Sequence, residues 1–229
     1  MKVIKPSVEP LFFPDQETLY RLIEIAGRTC YQSEKVTGRT CYQSKGVGGD
    51  TPEKFIQRIM HRKHWSVLEH ASLSVRIVCD RGVTHELVRH RIASYSQEST
   101  RYCNYSGDKF GGEIKVIDLA TGFKYDLDNP QDQAKYEEWM AAMGDAERHY
   151  MKMLELGATP QEARSVLPNS TKTQIVVTMN IREWRHFLEM RWVGVAGTPH
   201  PQMMEVAEKV HILLNLYYPA LFGDIKKPR

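Results

Sequence analysis

The chain has only four cysteines (Cys30, Cys41, Cys79 and Cys103), and they form neither a CxxC pair nor a dense framework. That spacing excludes a disulfide-stapled scaffold and a cysteine-built zinc site, and a reducing cytoplasm is the simplest compartment for it. There is no HExxH pair and no apolar run approaching a membrane span, and the opening MKVIKPSVEPLFFP lacks the apolar stretch of a secretory signal. Charge of one sign is also scarce. The 31 lysines and arginines stand against 28 acidic residues for a net +3, too mild to favour nucleic acid through bulk electrostatics. Partners of the membrane and nucleic-acid kind are therefore not expected. With 26% charged and 41% hydrophobic residues among 229, the chain fits an ordinary globular protein with one substantial core, so a single domain over 1–229 is expected.

Against that plain background stands RHRIASYSQESTRY, residues 89–102. Arg89 and Arg91 flank His90, and Ser94, Ser96, Gln97, Ser99 and Arg101 follow within ten residues. Guanidinium groups grip phosphate in bidentate fashion and stay charged at any relevant pH. A solvated basic helical turn is the usual fate of a lone charge run, but the density of donors here favours a binding loop. Upstream, Ser72 to Val78 alternates as a half-buried strand, Arg81-Gly82 breaks it, and Thr84 is placed to cap a helix carrying Glu86, Leu87, Val88 and the RHR triplet. On such a helix Arg89 and Arg91 would diverge by about 200° and could not hold one phosphate. Either two anions lie on its two sides, or the site sits where the helix ends and subunits meet. Nothing local could activate Ser99 as a nucleophile, so a hydrogen-bonding role suits it better.

The rest of the chain reads as helices around a few strands. Asp15 opens a helix with Leu19, Leu22, Ile23 and Ala26 inward, and Thr51-Pro52 opens another with Phe55, Ile59 and Met60 inward. Between them, residues 28–33 (RTCYQS) recur as 39–44, an 11-residue tandem duplication within 28–49 that lengthens a loop. Glu113 to Leu119 reads as a strand, and Asn129-Pro130 caps a long helix, closing at Gly157, with Tyr136, Trp139, Met143 and Tyr150 inward. Thr159 and Glu162 form a capping box, Thr173 to Met179 a strand, and Asn180 and Glu183 a second box. The helix after it aligns Trp184, Phe187, Leu188 and Arg191, and Pro201 begins a last helix bearing Met203, Val206, Val210, Leu214 and Tyr217. The expected class is α+β, a small and mostly antiparallel sheet packed with helices.

Arg191 shares its helix face with large apolar groups. It is either a guanidinium led into a partly dry site by a partner or an arginine snorkelling from the last turn, and the pattern leaves both open. His64, Ser66, Glu69 and His70 cluster before the strand, and His85 and His90 follow it; without ligand spacing the expected metal content is none.

RTCY, KHWSVLEH, RHRIASYSQESTRY, QEARSVLP and MNIREWRHFLEMR stand in the order found in flavin-dependent thymidylate synthases, and RHR-x7-S is that family's signature. The chain resembles this family over most of its length. The resemblance implies the thymidylate synthase-complementing protein fold and a homotetramer whose active sites are shared between subunits. It implies reductive methylation of dUMP to dTMP, with FAD reduced by NADPH as hydride carrier and methylenetetrahydrofolate as carbon donor. Carried over by position, Ser66, Arg89, His90, Arg91, Asn180, Arg182 and His186 would contact FAD, with His64 and Glu69 in the flavin-side loop. Glu86, Arg89, Gln97, Glu98, Ser99, Thr100, Arg101 and Arg164 would hold dUMP. Arg191 would be the arginine that contacts the pyrimidine and promotes ionisation at N3.

The chain departs from the family's pattern at several positions. Glu86 stands where glutamine is common, Gln97 where glutamate is common, and His186 where asparagine is frequent. The stretch Trp192 to Pro199 is longer than usual, which leaves the match of His200 to a family histidine open. Two other classes compete with the enzyme. A nonenzymatic anion-binding protein would show a basic stripe, whereas the arginines here fall at three separated segments. A cysteine-dependent thymidylate synthase would need a Pro-Cys-His context, which Cys103 lacks.

Overall fold

The computed structural model describes residues 1–30, 51–107, 109 and 111–227. The second copy of the RTCYQS repeat and the glycines after it lie outside the described residues; of the first copy, Arg28, Thr29 and Cys30 lie inside. In chain order the elements are β1 (Lys2–Ile4), β2 (Ser7–Phe12), α1 (Gln16–Cys30), α2 (Pro52–His61), β3 (Ser72–Asp80), α3 (Arg81–Leu87), β4 (Ala93–Gln97), β5 (Lys115–Ile117), α4 (Leu119–Phe123), α5 (Pro130–Glu155), α6 (Pro160–Ala163), β6 (Lys172–Asn180), α7 (Ile181–Leu188), α8 (Pro201–Tyr217) and α9 (Pro219–Phe222). Short 3-10 turns cover Trp65–His70 and Arg164–Val166, and one π turn covers Glu189–Val193. No helix among these residues is long and apolar enough to cross a membrane.

The α+β expectation is met. Four strands pair antiparallel in the order β2-β3-β6-β4, and β1 pairs parallel with β5 beside them. The central pair runs in register from Ser72 opposite Asn180 to Asp80 opposite Lys172. Alternation sends Leu73, Val75, Ile77 and Cys79 of β3, with Ile175, Val177 and Met179 of β6, into the core. Helices cover that face with Trp184 and Phe187 of α7, Val206, Val210 and Leu214 of α8, Leu19, Tyr20 and Ile23 of α1, and Ile56 and Ile59 of α2. A second apolar cluster, including Tyr105, Val116, Met143 and Tyr150, lies under α5. Pro10 sits on β2, an edge strand, where its missing N–H breaks no central ladder.

Several local expectations are corrected. The strand does end before Arg81-Gly82, but the helix starts there at once instead of at Thr84, because Asp80 caps it: Asp80 Oδ1 accepts from Val83 N at 2.7 Å. Thr84 lies inside the helix and donates to Arg81 O. The helix stops at Leu87, so the RHR triplet follows it instead of riding on it. Ser94, Ser96 and Gln97, expected in a loop, belong to β4. Leu22 is 44% exposed, with Tyr20 taking the inward place, and Ile56 is fully buried beside Phe55, which packs on the core as expected. The expected strand 113–119 shrinks to β5, since Asp118 caps α4.

Trp184 ties these layers together. It is fully buried, donates from Nε1 to Leu73 O at 3.2 Å, and meets Phe187 edge-on. Trp184→Ala is expected to cost about 3–5 kcal/mol, and Leu22→Ala within about 0.5 kcal/mol. Urea unfolding followed by far-ultraviolet circular dichroism checks both. A comparable loss at Leu22 would contradict the assignment of the α1 face.

Candidate functional site

The site forms where the segment after α3 meets the start of α7. At the end of β6, Asn180 caps α7, its Oδ1 accepting from Glu183 N at 2.8 Å. The Glu183 side chain does not complete the expected capping box. It turns to His90, whose Nδ1 lies 3.0 Å from Glu183 Oε1. On the other side of that ring, Arg191 Nε donates to His90 Nε2 at 3.2 Å. Arg191 Nη1 also donates to Glu86 Oε2 at 2.8 Å. The helix read as continuing to Arg191 widens into the π turn at Glu189, which sets the direction from which the guanidinium approaches. Tyr95 of β4 clamps the turn, donating to Leu87 O at 2.9 Å and His90 O at 2.6 Å.

This network settles the protonation of His90. A guanidinium has no acceptor, so Nε2 must present its lone pair and the proton must sit on Nδ1, aimed at the Glu183 carboxyl. The ring is therefore neutral. Its electrostatics agree: burial first, then the charge of Arg191 and the neighbouring His186, push its pKa down to about 4. Burial also raises the Glu183 carboxyl above its ordinary range. The contact has ion-pair geometry, yet both shifts favour the uncharged forms, so it is a hydrogen bond from a neutral imidazole.

Beside this network opens a cleft of about 470 Å³. Asn180, Arg182, Glu183 and His186 line one side, Trp65 and Glu69 another, with Ile92, Arg185 and Glu189 at its margins. Glu69 and Arg182 form an ion pair across it. Arg89 and Arg91 point outward and are exposed, while His90 between them is buried. Neither arginine side chain makes a hydrogen bond or ion pair with the described residues, so both are available to an anion.

A second group lies beyond β4. Ser99 Oγ accepts from Arg101 N at 3.3 Å, Arg101 Nε donates to Gln161 Oε1 at 3.1 Å, and Arg164 Nη1 approaches Thr100 Oγ1 at 3.5 Å. Arg101 and Arg164 are exposed and Thr100 is buried. Gln97 faces inward, donating to Thr84 Oγ1 and Thr173 Oγ1. Glu98 is held by Lys172 and by the Tyr105 hydroxyl. Among the described residues no hydrogen bond joins this group to the Arg191 network.

Of the residues singled out in the sequence, Glu69, Asn180, Arg182 and His186 meet in the cleft, and Glu86, His90 and Arg191 meet in the network behind it. Ser66 is exposed on the 3-10 turn and His64 half-buried at its start, outside the lining. His200 precedes α8 with its ring edge-on to Phe123, away from the cleft. Sequence reasoning missed Trp65, Ile92, Arg185, Glu189 and above all Glu183. For Glu183 the signal was ambiguous: Asn-x-x-Glu reads as a capping box whether or not the glutamate turns back. His90, Glu183 and His186 offer ligand atoms within 4.8 Å of one another. However, His90 is bonded at both ring nitrogens and a cation there would face Arg191, so the set suits a hydrogen-bond relay better than a metal.

A family model described as thymidylate synthase complementing protein matches residues 15–220. The chain is 37% identical over 140 residues to a flavin-dependent thymidylate synthase of Pyrococcus furiosus, covering 61% of this chain and 54% of the relative. It is 41% identical over 138 residues to that of Geobacter sulfurreducens, covering 60% and 55%. To one from a Mycobacterium species (strain JLS) it is 40% identical over 189 residues, covering 77% and 69%. The chain thus spans about half the length of the first two relatives it matches. A crystal structure of a UMP/dUMP methylase, PolB from Streptomyces cacaoi, bound with 5-Br dUMP, superposes with a TM-score of 0.74 at 21% identity, covering 97% of this chain and 96% of that one. That likeness shows a shared fold.

With its ring neutral and its Nδ1 proton fixed, His90 is expected to show no titration between pH 8 and pH 5 in histidine-labelled NMR spectra. A midpoint near 6.5, the ordinary histidine value, would mean that the ring is charged and the Arg191 contact is not the one described.

Proposed function

The chain belongs to the thymidylate synthase complementing protein family, and we propose that it is a flavin-dependent thymidylate synthase. In this reading it methylates dUMP to dTMP with FAD, NADPH and methylenetetrahydrofolate, as a cytoplasmic homotetramer of single-domain subunits. The observation that carries the reading is the pairing of Arg191 with Glu86 and His90 beside a cleft lined by Trp65, Asn180, Arg182 and His186. Relatives named for flavin dependence support the cofactor class.

The residues present fit a flavin nucleotide. Arg89 and Arg91 are exposed guanidiniums without hydrogen-bond or ion-pair partners among the described residues, suited to a diphosphate. Trp65 supplies an aromatic surface in the cleft, and Asn180, Arg182 and His186 supply polar groups. Ser66, His64 and Glu69 complete the flavin side in this reading, and Glu69 must exchange its pairing with Arg182 for ligand contacts. When bound, flavin supplies the hydride and methylenetetrahydrofolate the carbon unit.

The protein's own work is binding, orientation and charge. Arg101, Arg164, Ser99 and Thr100 hold the phosphate end of dUMP, with Gln97 at the end of β4 and Glu98 just after it positioning them. Arg191 has five N–H donors, three of them engaged by His90 Nε2, Glu86 Oε2 and, at 3.5 Å, Glu86 O. The remaining two are free for the pyrimidine, where a fixed cation stabilises negative charge developing toward N3. Glu86 and His90 keep that cation aimed. The separation of the Arg101–Arg164 group from the Arg191 network supports a site completed by a neighbouring subunit.

Incubation with FAD, desalting and visible spectroscopy test the reading. Retained flavin bands that shift on adding dUMP, with dTMP formed when all co-substrates are supplied, are expected. A folded protein that retains no flavin would instead favour a nonenzymatic anion-binding protein. Arg191→Ala is expected to retain flavin and lose about 10²–10³ in turnover; near-normal turnover would remove Arg191 from the reaction.

A further inference from the structure

We infer that Glu183 is a positioning residue for Arg191, acting through the tautomer of His90. This rests on the role given to Arg191 above. Among the described residues no hydrogen bond joins Glu183 to Arg191 or Glu86; its side chain bonds the imidazole, at 3.0 Å. It is 7% exposed and His90 is 6% exposed, so water cannot easily substitute for either partner.

A neutral imidazole has one N–H and one lone pair, and the two ends are interchangeable unless a neighbour fixes them. Glu183 fixes Nδ1 as the donor end. That leaves Nε2 as the acceptor for Arg191 Nε–H at 3.2 Å. With the opposite tautomer, an N–H would face an N–H at that distance, and Arg191 would have to swing away. Glu86 alone would then hold the guanidinium, through a side chain 35% exposed to solvent and a backbone carbonyl at the long distance of 3.5 Å, and with nothing at Nε the planar fork is held from one residue only. The π turn at Glu189–Val193 adds to the need, because Arg191 leaves a wide turn rather than a regular one.

The alternative roles for Glu183 are weaker. Its backbone N–H, not its side chain, takes the cap from Asn180, so helix initiation does not need the carboxyl. The groups facing it besides His90 include Arg182 and His186 of its own helix, both exposed, and the Tyr95 hydroxyl of β4. None of these is hydrogen-bonded to it.

The test compares Glu183→Met, which has no oxygen acceptor at similar length, with Glu183→Gln, which keeps an amide oxygen. Nitrogen-15 NMR of histidine-labelled, FAD-loaded protein reads the tautomer without requiring turnover. In the wild type, Nδ1 of His90 is expected to be protonated and Nε2 unprotonated. Glu183→Met is expected to populate the Nε2-protonated form and to lower kcat about tenfold, equal to about 1.4 kcal/mol, with FAD retention within twofold. Glu183→Gln is expected to recover most of both. An Nε2-protonated wild type overturns the inference without any variant. So does an unchanged tautomer in Glu183→Met, or a changed tautomer with unchanged kcat. Should Glu183→Met not fold, Glu183→Ala is read the same way. If the wild type makes no dTMP, the functional reading fails while the tautomer measurement still reports on the relay.

Discussion

A guanidinium can only donate, and much of this site depends on that restriction. Because Arg191 approaches His90 at Nε2, the imidazole must be neutral and must carry its proton on Nδ1. Because it carries it there, an acceptor must stand on the far side, and Glu183 does. Burial then works in the same direction: it holds the His90 pKa near 4 and raises that of Glu183. No member of the chain Glu183–His90–Arg191–Glu86 can be changed in hydrogen-bonding sense without leaving a partly buried polar group unmatched.

The sheet makes that chain possible. Since β3 and β6 are antiparallel and in full register, Asp80 and Asn180 end their strands at opposite ends of the pair. Asp80 starts α3 at one end, and by Ala93 the chain has returned to the other, where Ala93 pairs with Met179. His90 therefore arrives beside the first turn of α7. Asn180 fixes where that turn begins, and Tyr95 holds the backbone of His90 from β4. A slip of one residue in the β4–β6 register would turn the inward set of β4 to solvent, carrying Tyr95 away from the turn it clamps. The site geometry is thus a consequence of strand register as much as of local contacts.

The sequence showed the central strands, α5 and α8, and the cap of α7, because each has strong local marks: alternation at Ser72 to Val78 and Thr173 to Met179, Asn129-Pro130, Pro201, and Asn180. It misplaced α3 because two capping residues, Asp80 and Thr84, stand four apart and local chemistry cannot rank them. It missed β4 because a short edge strand of alanine, serines, tyrosine and glutamine lacks an apolar stripe and gains its place only by pairing with β6. Within the site, residues named by the signature and by resemblance did converge on one region, but the partner of His90 lies 93 positions away. Such a pairing has no periodicity, and Glu183 already had a sufficient local explanation as a capping residue.

The correction to α3 changes how the RHR triplet should be understood. On a helix, the divergence of Arg89 and Arg91 would follow from a 100° step per residue. After the helix that divergence no longer follows; what the fold shows instead is a buried His90 between two exposed arginines. The inward residue is neutral and bonded at both nitrogens, and the outward residues are charged and unpaired among the described residues. Three consecutive residues thereby divide two tasks that burial would otherwise set against each other, since a guanidinium in the place of His90 would face Arg191 charge to charge, and an imidazole in the place of either arginine would give up the permanent charge an anion needs.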